Sequence, residues 1–275
     1  MDDAAFFAEA KTFLLALAYT QPRILGVFIA VPLFNPAIVP GLLRYAIAAA
    51  IGLLVAPTLM PALASSEPSF IQFATLSVKE VFVGFVMGYV LAIPFWAFEA
   101  VGFLIDNQRG ASVASTLNPI TGNDSSPLGL LFNQAFIVFF LISGGFMLML
   151  TVVYQSFAVW NVLTWFPTLR PETVPLLLDQ LDRLVRIAML LGAPAIVAMF
   201  LAEIALALVS RFVPQLQVFF LAMPIKCGIA MLVLMLYMAT LFDYGARYIE
   251  GQKLIMPKLA EQWREAPPAT QEEPR

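Results

Sequence analysis

The chain has 275 residues, a mean hydropathy of +0.86 and only 12% charged residues. A soluble domain typically carries about twice that charged fraction, so an integral membrane protein is the first expectation. The net charge of −3 argues against a nucleic-acid partner. The absence of histidine removes the imidazole ligands that usually bind zinc and the imidazole base of serine and cysteine hydrolases. We therefore expect no enzyme, no cofactor and no metal site.

Six apolar stretches are long enough to form membrane-type helices. In chain order they are residues 12–34, 46–64, 81–105, 128–163, 184–209 and 216–242. The fourth stretch is too long for one straight span, and Ser143-Gly144-Gly145 lies inside it. The sequence therefore predicts an all-α integral membrane-type fold of about six long helices, with a break in the fourth.

The basic residues predict an orientation for these spans. If the spans alternate, one side of the membrane holds both termini with Lys11, Lys79, Arg170, Arg183, Arg247, Lys253, Lys258, Arg264 and Arg275, and the other holds Arg44, Arg109 and Arg211. Because cytoplasmic loops are enriched in Lys and Arg, we expect both ends to be cytoplasmic.

Four charged residues lie well inside apolar stretches: Arg23, Glu99, Glu203 and Lys226. Each would cost about 2.5–3.5 kcal/mol at a bilayer centre, so each should pair or face protein or water. The candidate pairs are Glu99 with Arg23 or Lys226, and Glu203 with Lys226. Structural ion pairs and a direct role in transport both remain open. The lone Cys227 is interpreted as a small buried hydrophobe.

Backbone-breaking residues are frequent in the same stretches. Pro22, Pro57, Pro94 and Pro194 each remove a backbone donor from an apolar segment. Freed carbonyls persist only where protein or a water-filled cavity satisfies them, so the chain is expected to pack against partners. Gly84 and Gly88 form a small-xxx-small face, a spacing that also arises often by chance.

The polar run DNQRGASVASTLNPITGNDSSPLG, from Asp106 to Gly129, separates the third and fourth apolar stretches. Its glycines and prolines predict turns and argue against one continuous helix. The simplest interpretation is an exposed connecting loop. However, irregular backbone beside membrane spans commonly lines cavities and selectivity filters, so a loop folded back into a pore is a competing hypothesis.

This polar run resembles the signature of the T subunit of the type III secretion export apparatus, and of its flagellar counterpart. The similar residues are Asp106-Asn107-Gln108-Arg109-Gly110, Asn118-Pro119, Gly122 and Ser125-Ser126-Pro127-Leu128-Gly129. Two further segments are similar to the same family. They are Arg23 with Pro32, Pro40 and Arg44, and Ser210-Arg211-Phe212-Val213-Pro214-Gln215-Leu216 with Ala222-Met223-Pro224-Ile225-Lys226-Cys227-Gly228. The resemblance runs from about residue 10 to residue 255.

The resemblance implies a non-enzymatic subunit of a portal for unfolded secreted proteins in the bacterial inner membrane. The implied partners are R-type and S-type export-apparatus subunits and the U-type switch subunit. Helices of such assemblies lie largely above the membrane plane, toward the periplasm. The implied domains are an R-subunit-like part (residues 1–165), a linker (166–183), an S-subunit-like hairpin (184–255) and a disordered tail (256–275). The Pro-rich and charged composition of Trp165–Asp182 is consistent with that boundary.

The resemblance also implies that the loop over residues 106–127 plugs the pore. The implied plug residues are Asp106, Gln108, Arg109, Gly110, Ser112, Val113, Ala114, Ser115, Thr116, Leu117, Asn118 and Pro119. The main alternative is a small secondary transporter that uses Glu99, Glu203, Arg23 and Lys226, which predicts inverted repeats that the sequence lacks. A hydrolase using Ser125 or Ser126 has no histidine base and no Gly-x-Ser-x-Gly motif.

Overall fold

The computed structural model describes residues 3–64, 69–110, 126–165, 171, 173–212 and 218–263. These residues form seven α-helices and no strand, which confirms the predicted all-α class. The helices are α1 (Asp3–Ala30), α2 (Gly41–Ala64), α3 (Phe70–Arg109), α4 (Pro127–Ile142), α5 (Gly145–Val159), α6 (Thr173–Phe212) and α7 (Val218–Trp263). A short 3-10 turn at Pro32–Phe34 lies between α1 and α2.

The fourth apolar stretch is broken where the sequence predicts. Helix α4 ends at Ile142 and helix α5 begins at Gly145. Between them Gly144 has φ +81°, a backbone conformation that glycine adopts without a steric penalty.

Five of these helices are long and apolar enough to cross a membrane, and the broken α4–α5 pair is a sixth candidate within the described residues. Helices α3 and α6 each contain 40 residues. At 1.5 Å per residue each is about 60 Å long, roughly twice the hydrocarbon thickness of a bilayer. Helix α6 begins at Thr173, within the segment expected to act as a linker.

The four prolines of the apolar segments lie inside helices that continue beyond them. Pro22 lies in α1, Pro57 in α2, Pro94 in α3 and Pro194 in α6. Each removes one donor from the helical ladder, but none of them ends its helix.

The chain divides into two compact units. The first comprises Met1–Ala92, Phe146–Leu177 and Gln252–Arg275. One of its apolar clusters packs α1 against α2 and α3. The buried members of this cluster are Ala16, Tyr19, Ala56, Leu59, Leu63, Leu76 and Val162. Helix α1 also approaches α3 closely at Gly84, where a Cβ atom would overlap the Arg23 carbonyl oxygen.

The second unit comprises Ile93–Gly145 and Leu178–Gly251. Its core contains a chain of aromatic rings that joins α3, α4 and α7. Phe95 contacts Phe136 edge-on with 5.0 Å between ring centroids, and Phe242 lies 5.1 Å from Phe139. Gly245 of α7 packs against the same rings. Aromatic pairs in these geometries stabilise a core beyond their buried area, so this cluster fixes the helices that carry the polar loop.

Candidate functional site: buried charges and the ends of the polar loop

Arg23 is completely buried in the first unit, and all three of its guanidinium nitrogens donate hydrogen bonds. Its Nε and Nη2 atoms donate to the two carboxylate oxygens of Glu80 at 2.5 and 2.9 Å. The guanidinium also donates to Ser156 Oγ at 3.2 Å and to the Trp160 carbonyl at 3.0 Å. It lies 4.3 Å from the centroid of the Phe157 ring. Because both charges are enclosed, this bidentate pair ties α1 to α3 and to the end of α5.

Lys79 extends the same network. Its ammonium group lies 2.7 Å from a carboxylate oxygen of Glu80. It also donates to the carbonyls of Val162 at 2.8 Å and Thr164 at 2.7 Å, with a longer contact to Asn161. A cation at the C-terminal end of a helix is favourable, and here it satisfies the carbonyls of the turn that follows α5.

This network corrects two sequence-based expectations. Arg23 does not pair with Glu99; its partner is Glu80, which lies just before the third apolar stretch. Glu99 is exposed and accepts a hydrogen bond from Asn133 Nδ2 at 2.5 Å. The orientation rule requires Lys79 to lie outside the spans, whereas it lies inside α3 and is buried. That rule counts residues outside spans, so Lys79 gives no support to the predicted orientation. The same holds for residues on both sides that lie inside candidate spans: Arg44, Arg109, Arg183, Arg211 and Arg247. The orientation stays a prediction.

Glu203 and Lys226 lie close together, as the sequence analysis predicted for one of the candidate pairs. Lys226 Nζ lies 3.4 Å from Glu203 Oε2, which links α6 to α7. Lys226 is buried, and the Glu203 side chain is 49% exposed, which fits the expectation that each charge pairs or faces protein or water. A long contact with an exposed partner contributes little to stability.

The two ends of the polar loop are joined by Asp106, near the end of α3. Asp106 is buried, and its Oδ2 atom accepts hydrogen bonds from Ser126 Oγ at 2.6 Å and from the Leu128 backbone N–H at 3.0 Å. Ser126 also caps α4, because its Oγ atom accepts from the Gly129 N–H at 2.8 Å. Asp106 therefore holds the first turn of α4 against the last turns of α3.

A glycine permits this close approach. A Cβ atom at Gly102 would overlap the backbone of Leu128 and Gly129. Helices α3 and α4 consequently cross with their backbones in contact, four residues before Asp106.

Three consecutive residues at the end of α3 and just after it contact the α6–α7 hairpin. Gln108 Nε2 lies 3.5 Å from Glu203 Oε2, at the limit for a hydrogen bond. Arg109 Nη1 donates to Cys227 Sγ at 3.3 Å, and its Nη2 atom pairs with Asp106 Oδ1 at 2.7 Å. Gly110 has φ +88° and lies beside Met223. Cys227 is half-buried and accepts a hydrogen bond, so it is more than the buried hydrophobe expected.

An open cleft of about 300 Å³ lies beside these contacts. Its polar lining comes from Asn107, Gln108, Glu203, Ser210 and Lys226. No group of three or more His, Cys, Asp or Glu residues in the described part of the chain is arranged to hold a metal ion.

The expected plug residues fall into two groups. Asp106, Gln108, Arg109 and Gly110 are described, and the contacts above involve all four. The others lie outside the described residues; they are Ser112, Val113, Ala114, Ser115, Thr116, Leu117, Asn118 and Pro119.

The sequence contains a local signal for the contact residues that were not predicted, namely Lys79, Glu80 and Ser126. Lys79-Glu80 directly precedes the third apolar stretch, and the helix that contains both residues begins at Phe70. Ser126-Pro127 is typical of a helix start, with an N-cap serine followed by a proline at the first helical position. The partners of these residues could not be predicted from local sequence because they are distant along the chain.

Comparisons with known proteins agree with this architecture. A family model described as "Bacterial export proteins, family 1" matches residues 14–251. The chain is 39% identical over 238 residues to "Yop proteins translocation protein T" of Yersinia pestis, covering 85% of this chain and 90% of that protein. It is 31% identical to "Surface presentation of antigens protein SpaR" of Salmonella typhimurium (strain LT2), covering 85% and 86%. It is 29% identical to "Flagellar biosynthetic protein FliR" of Bacillus subtilis (strain 168), covering 80% and 85%.

The helices and these matches together define a membrane-localised, non-enzymatic component of a multi-subunit export apparatus. The chain belongs to the bacterial export proteins, family 1, which comprises subunits of type III secretion and flagellar export apparatuses.

Proposed function

We propose that this chain is the T-type subunit of a type III secretion export gate. In this role it occupies one position of a helical portal built with R-type and S-type subunits. The segment over residues 106–127 plugs the pore through which unfolded secreted proteins pass. The higher identity to the Yersinia and Salmonella proteins than to the Bacillus flagellar protein supports the secretion branch over the flagellar one.

The observation that carries the plug proposal is the contact between Asp106 and Ser126. Because this contact fixes both ends of the polar loop at one place, the intervening chain leaves and returns within hydrogen-bonding distance. Loops with adjacent ends are frequently functional. A loop anchored in this way can extend into a pore while α3 and α4 stay packed, which a freely solvated connector would not require.

The surfaces of α6 and α7 support the proposed assembly. Only 28% and 22% of the most apolar windows of these helices are buried within the chain. We propose that R-type and S-type subunits, and the U-type switch subunit, cover much of this apolar surface. Residues 184–255 then act as an S-subunit-like hairpin, joined through residues 166–183 to an R-subunit-like part (residues 1–165). Helix α7 continues through Trp263, so the first eight residues of the expected tail (256–275) are helical.

The lengths of α3 and α6 support a location in the bacterial inner membrane, within the secretion basal body and raised toward the periplasm. A helix of about 60 Å exceeds the hydrocarbon core of a bilayer by roughly 30 Å, so part of each helix is expected outside the lipid.

Deletion of residues 110–117 tests the plug proposal. The shortened protein should still assemble with R-type and S-type subunits, but small solutes should leak across the inner membrane. The matched control removes eight residues from the tail, 268–275, and should leave the membrane tight. A tight membrane and normal secretion after the loop deletion would show that the plug assignment is wrong.

Co-expression tests the proposed partners. The chain should be unstable when produced alone and should co-purify with R-type and S-type subunits, because its exposed apolar helices need cover. A fully helical, well-behaved monomer that captures neither subunit would contradict the assembly proposal.

A further inference from the structure

Four contacts at the end of α3 form a continuous path from α7 to both ends of the polar loop. The path runs from Cys227 Sγ to Arg109, from Arg109 to Asp106, and from Asp106 to Ser126 and Leu128. Each successive distance is between 2.6 and 3.3 Å. We propose that Arg109 and Asp106 act within the segment 106–127 as positioning residues that fasten both ends of the loop to helix α7.

Burial and charge support this role for Asp106. The Asp106 side chain is 5% exposed and the Arg109 side chain is 14% exposed, so neither is a solvated surface charge. The carboxylate meets three partners: the guanidinium with which it forms an ion pair, the serine hydroxyl and a backbone N–H. Both hydrogen bonds go to Oδ2, and Oδ1 has the ion pair with Arg109 but no hydrogen bond, so loss of Arg109 would leave this buried oxygen without a partner.

The neighbouring residues on either side of Arg109 reinforce the same attachment. Gln108 reaches Glu203 of α6, and Gly110 lies beside Met223 of α7. The positive φ of Gly110 turns the chain away from α3 immediately after Arg109. The last turn of α3 is thus held by the hairpin, and the first loop residue is held with it. This inference rests on the proposed function, because it assigns the residues that anchor the proposed plug.

The sequence provides a specific probe of this anchoring. Between Lys79 and Arg170, Arg109 is the only lysine or arginine, so trypsin can cut this span only after Arg109. Cleavage requires the Arg109 side chain to leave Asp106 and Cys227 and to enter the protease. The rate of this cut in the assembled complex therefore reports how often Arg109 is released.

The experiment compares trypsin cleavage after Arg109 in complexes co-purified with R-type and S-type subunits. Asp106→Asn should raise the cleavage rate by roughly tenfold, since a charge-assisted contact is lost. Cys227→Ala should raise it by about threefold, since a weaker acceptor is lost. Asp179→Asn breaks an exposed ion pair with Arg183 and should leave the rate unchanged.

A conservative variant separates anchoring from packing. Cys227→Ser keeps an acceptor for Arg109, so it should be cleaved at nearly the wild-type rate. If only the loss of side-chain volume mattered, Cys227→Ser and Cys227→Ala would be cleaved at similar rates. If the Asp106 variant fails to assemble, the two Cys227 variants carry the test. The proposal would be overturned if the wild type and both Cys227 variants were cleaved at the same rate. It would also be overturned if Cys227→Ser were cleaved as fast as Cys227→Ala.

The two assays test the anchoring and the plug separately, so either proposal can be refuted without the other. A tight membrane after deletion of residues 110–117 would refute the plug and leave the anchoring of Arg109 intact. If the deletion causes a leak but the Asp106 and Cys227 variants are cleaved at the wild-type rate, the anchoring is refuted and the plug is not.

Discussion

Arg23 and Glu80 form a bidentate ion pair in which both side chains are 0% exposed. Moving a charge into an apolar interior carries a large desolvation penalty, which only close partners offset. Glu80 has two such partners, Arg23 and Lys79, so the cluster holds two cations and one anion. The consequences of removing one member therefore differ from residue to residue.

The first prediction ranks two substitutions in this cluster. Glu80→Gln leaves two buried cations without a carboxylate and should destabilise the protein by about 3–5 kcal/mol. Arg23→Met leaves the neutral Lys79–Glu80 pair and should cost less. Thermal dissociation of the co-purified complex would measure both, with Asp179→Asn as the surface control. A larger effect of Arg23→Met than of Glu80→Gln would contradict this account.

The second prediction concerns the turn after α5. Lys79→Met removes the donor for the Asn161, Val162 and Thr164 carbonyls. Hydrogen exchange over residues 156–165 should accelerate by at least roughly tenfold, because the loss of even one charge-assisted hydrogen bond has about that effect and Lys79 makes three contacts with carbonyls. Arg186→Met, at an exposed position in α6, should leave exchange in this segment unchanged. Equal protection in both variants would mean that Lys79 does not fix the turn.

The third prediction tests the contact of α1 with α3. Gly84→Ala places a methyl group against the Arg23 carbonyl, so the helices must separate and the buried ion pair must shift. Gly41 lies at the start of α2, where an added methyl group would meet no other atom within 4 Å, so Gly41→Ala is a matched control. We expect the yield of assembled complex to fall for the Gly84 variant only. Equal yields would indicate that the close approach is dispensable.

The fourth prediction tests the crossing of α3 and α4. Gly102→Ala should push Leu128 away and weaken the hydrogen bonds to Asp106, and so should increase trypsin cleavage after Arg109. Gly228→Ala changes the same residue type in an open position of α7. This control should be cleaved at the wild-type rate, because alanine is well tolerated in a helix. Faster cleavage of both variants would point to general loosening of the fold.

Hydropathy was sufficient to predict the helices but not the partners of their charged residues. The six apolar stretches and the break near Ser143 follow from length and composition, properties that each segment carries by itself. The Arg23–Glu80 pair joins residues 57 positions apart, and the contact of Arg109 with Cys227 spans 118 positions. Such pairings depend on the helix arrangement, so hydropathy alone could not identify Glu80 as the partner of Arg23.

The polar loop illustrates the same division. Its turn-forming residues were visible in sequence, and its family resemblance indicated a special segment. The anchoring by Asp106 was not visible, because Ser126 lies 20 residues later. Four of the expected plug residues therefore have contacts that fit attachment of the loop, and the pore-facing role of the others stays a prediction.

The buried excess of one positive charge also constrains how the protein can be made. When α1, α2 and the first half of α3 have left the ribosome, Arg23, Lys79 and Glu80 are all present, but the carbonyls at Trp160, Val162 and Thr164 are not. Until α5 is synthesised, Lys79 lacks the negative end of that helix as its second counter-charge. The buried charge cluster therefore acquires its full set of partners only after residues up to Thr164 have been synthesised.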